Sequence, residues 1–208
     1  MEDNNFMEVI KLEEAGFESA LYGLSLSFKE ERIPYTEWFT KEKYDKTVKL
    51  AEKQAQMDGG HNKFLESIIT WWYIKAPRYV WSEMDTYRLE TKNSASTMHT
   101  IQKYELTEDD FEEGTDQIII NRFNALLRTV TKDFKETKRL SDKELVLIKS
   151  NLPEGYLQTR QWRLSYKTLR NIILQRRNHR LPQWRFFISE VLKQVNHSEL
   201  LPSMDNTP

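Results

Sequence analysis

The stretch "GHNKFLESIITWWYIKAPRYVWSEMDTYRLETKNSASTMHT", residues 60–100, decides how we interpret the fold. Within it, "FLESIITWWYIKAP" is rich in aromatic and β-branched residues and stops at Pro77, which predicts a buried strand after a short helix. The next segment, "RYVWSEMDTYR", fits a helix or a strand equally well. A segment that only had to pack would not need so many hydrogen-bonding side chains, so these residues raise the expectation of a functional site.

The remainder of the chain is predicted to be mostly helical. Helical spacing or capping signals favour helices that begin near residues 17, 41, 115, 142, 166 and 182, with Thr40, Thr115 and Ser141 as N-caps and Glu144 completing a capping box with Ser141. The segment "LQTRQWRLS" alternates like a strand. We therefore predict an α+β fold: a single helix-rich domain over residues 1–208, with a central antiparallel or mixed sheet and a loose tail over residues 196–208.

Composition excludes several kinds of site and partner. The 208 residues include 31 basic and 32 acidic side chains, so no strong net field favours nucleic acid or a membrane as partner. Cysteine is absent, which removes disulfides, thiolate metal ligands and a cysteine nucleophile. The acidic start lacks the pattern of a signal peptide, and no apolar run approaches the roughly 20 residues of a membrane span. These features predict a cytoplasmic protein.

The common enzyme motifs are missing, but two polar regions remain. The four histidines are scattered, so we predict no metal site, and neither a phosphate-binding loop nor a nucleophile elbow is found. The hydroxyl-rich "TKNSAST", residues 91–97, fits either an anion-binding turn or an ordinary surface turn. The basic segment 159–185 places Lys167, Arg170 and Asn171 on one helix face. That face fits either a phosphorylated ligand or a solvated surface that balances the acidic residues 105–116.

Both regions resemble the flavin-dependent thymidylate synthases. Gly60–His61 and Glu66 match the family's early Gly-His and acidic element, and Arg88 matches the last arginine of its Arg-His-Arg helix. The hydroxyl-rich loop follows as the family's Ser-x-Asn-Glu-x-Ser-x-Arg segment. A late block, from "LP" at 152–153 through "SYKTLRNIILQR" to "LPQWRFF", matches in order, so the resemblance covers roughly residues 15–195.

This resemblance implies an enzyme that methylates dUMP reductively to dTMP. It implies FAD as cofactor, NADPH and methylenetetrahydrofolate as co-substrates, and a homotetramer with FAD at the subunit interfaces. The family's chemistry needs no nucleophile from the protein, which agrees with the absence of cysteine. The absence of cysteine also excludes the other thymidylate synthase class, whose chemistry needs a thiolate.

Position by position, the resemblance assigns two sets of ligand residues. Arg176 matches the arginine that contacts the pyrimidine and is the predicted catalytic residue, since a cation there would stabilise negative charge developing on the ring. The remaining residues predicted to bind dUMP are Glu83, Ser94, Ser96, Thr97 and Lys149. The residues predicted to bind FAD are His61, Glu66, Arg88, Ser165 and Asn171.

The chain departs from the family pattern at several of these positions. Thr86 and Tyr87 replace Arg and His of Arg-His-Arg, Ser94 replaces the loop glutamate, and Met98 replaces an arginine expected on the nucleotide phosphate. These changes leave two alternatives open. One is a flavin-dependent modification of another pyrimidine nucleotide. The other is a non-catalytic nucleotide-binding or scaffold protein that kept the fold.

Overall fold

The computed structural model of the chain describes residues 6–28, 34–38, 40–88, 90–131 and 140–204, without the side chains at positions 41, 98 and 99. The strands are β1 (Glu8–Ala15), β2 (Ile69–Pro77), β3 (Thr91–Ser94) and β4 (Leu157–Ser165). The helices are α1 (Phe17–Ser25), α2 (Tyr35–Trp38), α3 (Lys41–Ala55), α4 (Arg78–Met84), α5 (Thr97–Thr100), α6 (Gln117–Thr131), α7 (Asp142–Asn151), α8 (Tyr166–Arg176) and α9 (Pro182–Gln194).

The four strands form an antiparallel sheet in the order β1-β2-β4-β3. Two backbone bonds mark the register of β2 and β4: Tyr166 N donates to Ile68 O at 2.9 Å, and Arg78 N donates to Tyr156 O at 3.2 Å. Along β2, buried and half-buried side chains alternate, as expected for a strand with one face in the core. The predicted helix-rich α+β fold with an antiparallel sheet is therefore confirmed.

The sequence did not reveal two of the strands: β3, whose residues were interpreted as part of a turn, and β1. The residues of β1, "EVIKLEEA", include four charged side chains, and Val9 is its buried hydrophobic residue. The strand lies at the edge of the sheet, where charged side chains are common because they discourage pairing with other chains. Such a strand lacks the hydrophobic alternation by which strands are recognised.

Two of the predicted helix starts have different outcomes. Ser141 caps α7 as expected: Ser141 N donates to Glu144 Oε2 at 2.7 Å, and Glu144 N donates to Ser141 Oγ at 3.4 Å. The prediction of Thr115 as the cap of α6 is wrong. Its hydroxyl donates to Glu112 O, and Asp116 Oδ1 instead accepts from Ile118 N at 2.7 Å. The helical pattern in the sequence continues over residues 132–138, which lie outside the described residues.

The described residues divide into two compact units. The first comprises residues 6–8, 74–88, 93–131 and 140–160, and the second comprises residues 9–28, 34–38, 40–73, 90–92 and 161–204. The first unit has its own core, in which α6 and α7 pack together. That core contains Ile101, Leu106, Phe111, Ile120, Phe123, Leu127, Ile148, Leu152 and Tyr156.

In the second unit, the short 3-10 helix Lys63–Ser67 is the centre of packing. Both α1 and α8 contact it, α1 also packs on α3, and α8 packs on α9. Gly16, just before α1, has φ of 94°, and a Cβ there would lie 2.1 Å from Ser67 O. A residue with a side chain would therefore force α1 away from this short helix.

The chain after α9 corrects the expectation of a loose tail. Leu200 and Leu201 are buried, at 1% and 4% exposure, and the 3-10 helix Ser198–Leu200 packs on α3. The tail thus contributes apolar surface to the second unit as far as it is described. Among the helices in the described part of the chain, none combines the length and the apolar character that crossing a membrane requires.

Candidate functional site

In the first unit, the hydroxyl-rich segment 94–97, here called the hydroxyl turn, is held at both ends. Ala95 N donates to Thr159 O on β4 at 2.9 Å, and Gln158 Nε2 donates to Ala95 O at 3.4 Å. At the other end, Lys149 Nζ from α7 donates to Thr97 Oγ1, across 52 residues of sequence. The fold thus brings together two residues that were predicted to bind dUMP.

Lys149 is placed to attract an anion. Its side chain is half-buried, and burial lowers the pKa of its ammonium group, with a further contribution from the positive charge of Arg78. A cation that has lost part of its hydration and lies near a second cation gains more from a bound anion than a fully solvated lysine does. Thr97 is 6% exposed, so the hydroxyl that meets Lys149 is also held in the protein.

Arg78 is a residue of this region that the sequence analysis did not identify. Its Nη1 donates to Leu152 O at 2.5 Å, and its Nη2 lies 3.4 Å from a carboxylate oxygen of Glu154. It was missed because it follows Pro77, in the segment whose pattern did not distinguish helix from strand. Its position at the start of α4, beside the end of α7, becomes visible only in the fold.

The other residues of the first unit that were predicted to bind the nucleotide lie on α4, on β3 and just before α5. Glu83 is half-buried on α4, and its carbonyl accepts from Thr86 Oγ1 at 2.7 Å. Ser94 is exposed at the end of β3, and Ser96 is exposed at the N-cap position of α5. Arg88, predicted for FAD, is exposed and also belongs to the first unit. Each stays a predicted ligand residue.

The flavin residues predicted in the second unit include one directly bonded pair. Ser165 Oγ donates to Glu66 Oε2 at 3.0 Å, although the two residues are 99 positions apart. The same hydroxyl accepts from Thr168 N at 3.2 Å and so caps α8. Ser165 therefore fixes the carboxylate of Glu66 and the start of α8 at once.

A cavity of about 670 Å³ lies beside His61 in the second unit. It is bounded by α1 and its continuation, by α3 and by residues 59–67; the lining residues are Ala20, Gly23, Leu24, Ser27, Phe28, Gln54, Gly59, Gly60, His61, Lys63, Phe64 and Ser67. Gly59 and Gly60 adopt φ of 71° and 91°, which side-chain-bearing residues rarely adopt. Apolar walls with a few amide, imidazole and ammonium groups suit a planar heteroaromatic ring with polar edges.

The segment 56–62, here called the glycine turn, is held from α8 by a buried arginine. Arg170 is 5% exposed; its Nε donates to Ala55 O at 3.0 Å, and its Nη2 donates to Gln56 O at 3.4 Å. Its Nη1 lies 3.1 Å from Asp58 Oδ1. These carbonyls are at the end of α3, so one guanidinium satisfies the helix terminus and the start of the glycine turn.

Lys167, one turn earlier on α8, holds the far side of the same turn. Its Nζ donates to Asn62 Oδ1, and Asn62 Nδ2 donates to Met57 O at 2.5 Å. Asn62 is fully buried. Two basic residues of the face predicted on α8 thus contact the glycine turn, Arg170 as a buried side chain and Lys167 as a half-buried one. Asn171, on the same helix, is half-buried.

Arg176, the predicted catalytic residue, lies on an aromatic surface at the end of α8. Its guanidinium carbon is 5.0 Å from the ring centroid of Trp184, which is fully buried. Trp184 packs edge-on against Phe187 at 6.1 Å, and Phe187 stacks on Trp162 at 5.9 Å. The rings support a half-buried cation whose charge is attracted to the face of the indole.

Glu90, also in the second unit, is an unpredicted buried acid. Its side chain is 1% exposed, and Oε2 accepts from the indole N–H of Trp162. Lys92 Nζ lies 3.6 Å from the same oxygen, while Oε1 is buried and has no hydrogen-bond partner among the described residues. Burial raises the pKa of Glu90 to about 7, against the opposing effect of Lys92.

Comparison with known proteins gives matches in structure but not in sequence. No protein-family model matches the chain, and no curated protein matches it. Two solved structures of a flavin-dependent thymidylate synthase from Helicobacter pylori, each with FAD and dUMP, are similar to it. The first is 14% identical in sequence with a TM-score of 0.74, and the match covers 93% of this chain and 97% of the solved chain. The second is 15% identical with a TM-score of 0.74, and the match covers 96% of this chain and 99% of the solved chain. The resemblance read from the sequence is confirmed at the level of the fold.

Proposed function

We propose, from this shared fold and the residues described above, that the chain is a flavin-dependent thymidylate synthase that converts dUMP to dTMP. In this proposal Lys149 and Thr97 bind the nucleotide phosphate, with Ser94 and Ser96 on the same turn and Glu83 toward the nucleotide. Arg176 is assigned to the pyrimidine ring.

The observation that carries the proposal is the bond between Lys149 and Thr97. Neither a scaffold nor an ordinary surface turn requires a half-buried lysine to reach a hydroxyl in a distant segment. Phosphate oxygens accept hydrogen bonds from ammonium and hydroxyl groups alike, and charge-assisted bonds of this kind are about twice as strong as neutral ones. A phosphate that joined this pair would also offset the cost of burying the lysine.

Arg176 is proposed to act on the base. Its guanidinium would donate hydrogen bonds to a uracil carbonyl and so stabilise negative charge that develops on the ring. The indole of Trp184 keeps this cation in place, 5.0 Å from the ring centroid, and so limits the reorganisation required during reaction. The protein thereby polarises the pyrimidine without forming a covalent bond to it.

The second unit fits a flavin at the cavity beside His61. When bound, FAD would supply the reducing equivalent that turns a transferred one-carbon group into a methyl group. His61 and Lys63 offer polar groups at the cavity wall, while Leu24 and Phe64 exclude water from it. Glu66, Ser165, Asn171 and Arg88 do not line this cavity, and we assign them to FAD from the family resemblance alone.

The remaining parts of the proposal come from the family resemblance. They are NADPH as reductant, methylenetetrahydrofolate as one-carbon donor, a homotetramer with FAD at the subunit interfaces, and a cytoplasmic location. The neighbouring structures support FAD and dUMP as ligands, since those proteins hold both.

Growth of a thymidine auxotroph that expresses the chain, together with tritium release from dUMP labelled at C5, tests the function. We expect growth and release for the natural sequence, and a loss of about a hundredfold or more in release for Arg176→Gln. Arg180→Gln, which changes an exposed arginine four residues later, is the matched control and should retain activity.

Mass spectrometry of the product identifies which pyrimidine nucleotide is modified. A product other than dTMP would mean that the substrate is not dUMP or that the transferred group is not methyl. Protein that binds neither FAD nor dUMP would contradict the whole proposal.

A further inference from the structure

We propose that Arg78 is a second cation of the phosphate site and binds the same phosphate monoester dianion as Lys149 and Thr97. This inference rests on the proposed function, since it assigns one more group to the nucleotide phosphate. It also gives the chain a guanidinium in this region, whereas position 98, where the family resemblance expects an arginine, carries methionine.

The geometry joins Arg78 to the end of α7, the helix that carries Lys149. Lys149 is in the last turn of α7, and Leu152 is the first residue after this helix. Arg78 Nη1 donates to the carbonyl of Leu152. The backbone of Arg78 is fixed as well, because its N–H lies 3.0 Å from Glu154 O and 3.2 Å from Tyr156 O. The guanidinium is thus anchored by its own main chain and by one of its five N–H donors.

The charges of this region favour a dianion. Arg78 and Lys149 are close enough for the charge of Arg78 to lower the pKa of Lys149, in addition to the effect of burial. Two neighbouring cations repel each other, and a dianionic phosphate between them would convert that repulsion into attraction. A guanidinium also matches two phosphate oxygens at once, which an ammonium group cannot do.

Glu154 is the acid that competes for Arg78. The closest approach of the two side chains is 3.4 Å, and the side chain of Glu154 is 60% exposed while that of Arg78 is 30% exposed. Exposed pairs of this kind contribute little, so a phosphate can displace the carboxylate readily. The bond to Leu152 O is independent of this exchange and remains when phosphate binds.

Calorimetric titration of the full-length chain with dUMP, deoxyuridine and inorganic phosphate tests the inference. Arg78→Gln should weaken dUMP and phosphate binding by about tenfold or more, with little change for deoxyuridine, because only the phosphate contact is lost. Arg78→Lys should recover part of the loss. Glu154→Gln leaves Arg78 in place and removes its competitor, so it should tighten dUMP binding by about two- to threefold.

The variants separate this inference from the proposed function. If Arg78→Gln fails to fold, because Leu152 O has lost its donor, Glu154→Gln decides alone. If Arg78→Gln folds and binds dUMP with unchanged affinity, the role of Arg78 is overturned and the proposed function stands. If only Glu154→Gln can be measured, unchanged dUMP affinity in that variant has the same meaning. A natural chain that binds inorganic phosphate in an Arg78-dependent way, but binds no dUMP, overturns the proposed function and retains the phosphate site.

Discussion

The glycine turn of the second unit and the hydroxyl turn of the first are held in opposite ways. The glycine turn is fixed by buried side chains that end on backbone carbonyls: Arg170 on Ala55 and Gln56, and Asn62 on Met57. The hydroxyl turn is fixed by backbone bonds of Ala95, while its side-chain contact joins Lys149 to Thr97. The first arrangement completes the fold by itself, whereas the second leaves charged and hydroxyl groups that a ligand can use.

This difference distinguishes residues that position a segment of chain from residues that we propose to bind a ligand. A buried guanidinium that satisfies three acceptors is part of the folded state, and removing it leaves those acceptors without partners. A half-buried lysine that bonds one hydroxyl costs free energy to desolvate and recovers it when an anion arrives. Substitutions in the second unit should therefore change stability, and substitutions in the first should change affinity.

The largest expected effect is that of Arg170→Met. Methionine keeps much of the side-chain volume but leaves Ala55 O and Gln56 O without their donor, which we expect to lower the free energy of unfolding by about 3 kcal/mol. Urea denaturation followed by far-UV circular dichroism measures the loss. Because the glycine turn lines the cavity, FAD affinity should fall as well.

Asp58→Asn is the matched control for Arg170. The Asp58 side chain is 84% exposed, so the charge pair adds little, and this variant should unfold at nearly the natural urea concentration. Equal destabilisation by the two variants would show that the ion pair, rather than the bonds to the carbonyls, holds the glycine turn.

Lys149→Met tests the other side of the comparison. Loss of a charge-assisted phosphate contact should weaken dUMP binding by about 2 kcal/mol, which is about thirtyfold. The free energy of unfolding should change by less than about 1 kcal/mol, since methionine removes both a bond and a desolvation cost. Titration of dUMP and urea denaturation on the same samples give the two quantities. A variant that loses stability but not affinity would reverse the assignment of the two turns.

The sequence points more directly to the proposed ligand residues than to the residues that position the turns. Thr97 and Lys149 could be proposed as ligand residues because both stand at positions of a family motif. Arg170 was visible as a basic residue, but its partners are backbone carbonyls near Ala55, and no side-chain pattern records which carbonyls a fold leaves to be satisfied. Strand β1 was missed for a related reason, because an edge strand with charged residues lacks the hydrophobic alternation of an inner strand.

Glu90 sharpens the comparison because it is a buried polar group that the second unit does not satisfy fully. Its pKa of about 7 in the folded chain lies above the ordinary value of 4.5, so the folded state holds the proton more tightly than the unfolded state. The penalty is absent below about pH 4.5, grows between about pH 4.5 and 7, and stays constant at higher pH. Glu90→Gln should therefore stabilise the chain by about 3 kcal/mol at pH 8.5 and by less than about 1 kcal/mol at pH 5.

Thermal unfolding of Glu90→Gln and of the natural chain across this pH range measures the difference. Glutamine keeps the acceptor for the indole N–H of Trp162, so the comparison isolates the charge. A gap between the two melting temperatures that stays constant with pH would show that Glu90 does not change its protonation in the folded chain.

The smallest effect is expected for Thr97→Val, which removes the hydroxyl but keeps the shape of the side chain. If Thr97 both orients Lys149 and donates to the phosphate, dUMP affinity should fall by about 1 kcal/mol. The double variant with Lys149→Met should lose less than the sum of the two single losses, because the hydroxyl has no ammonium left to orient. Strict additivity would mean that the two residues contact the phosphate independently, so that the hydrogen bond between them does not build the site. A coupling energy near 1 kcal/mol would instead show that the hydroxyl turn is organised through its ligand-binding side chains, which is what distinguishes it from the glycine turn.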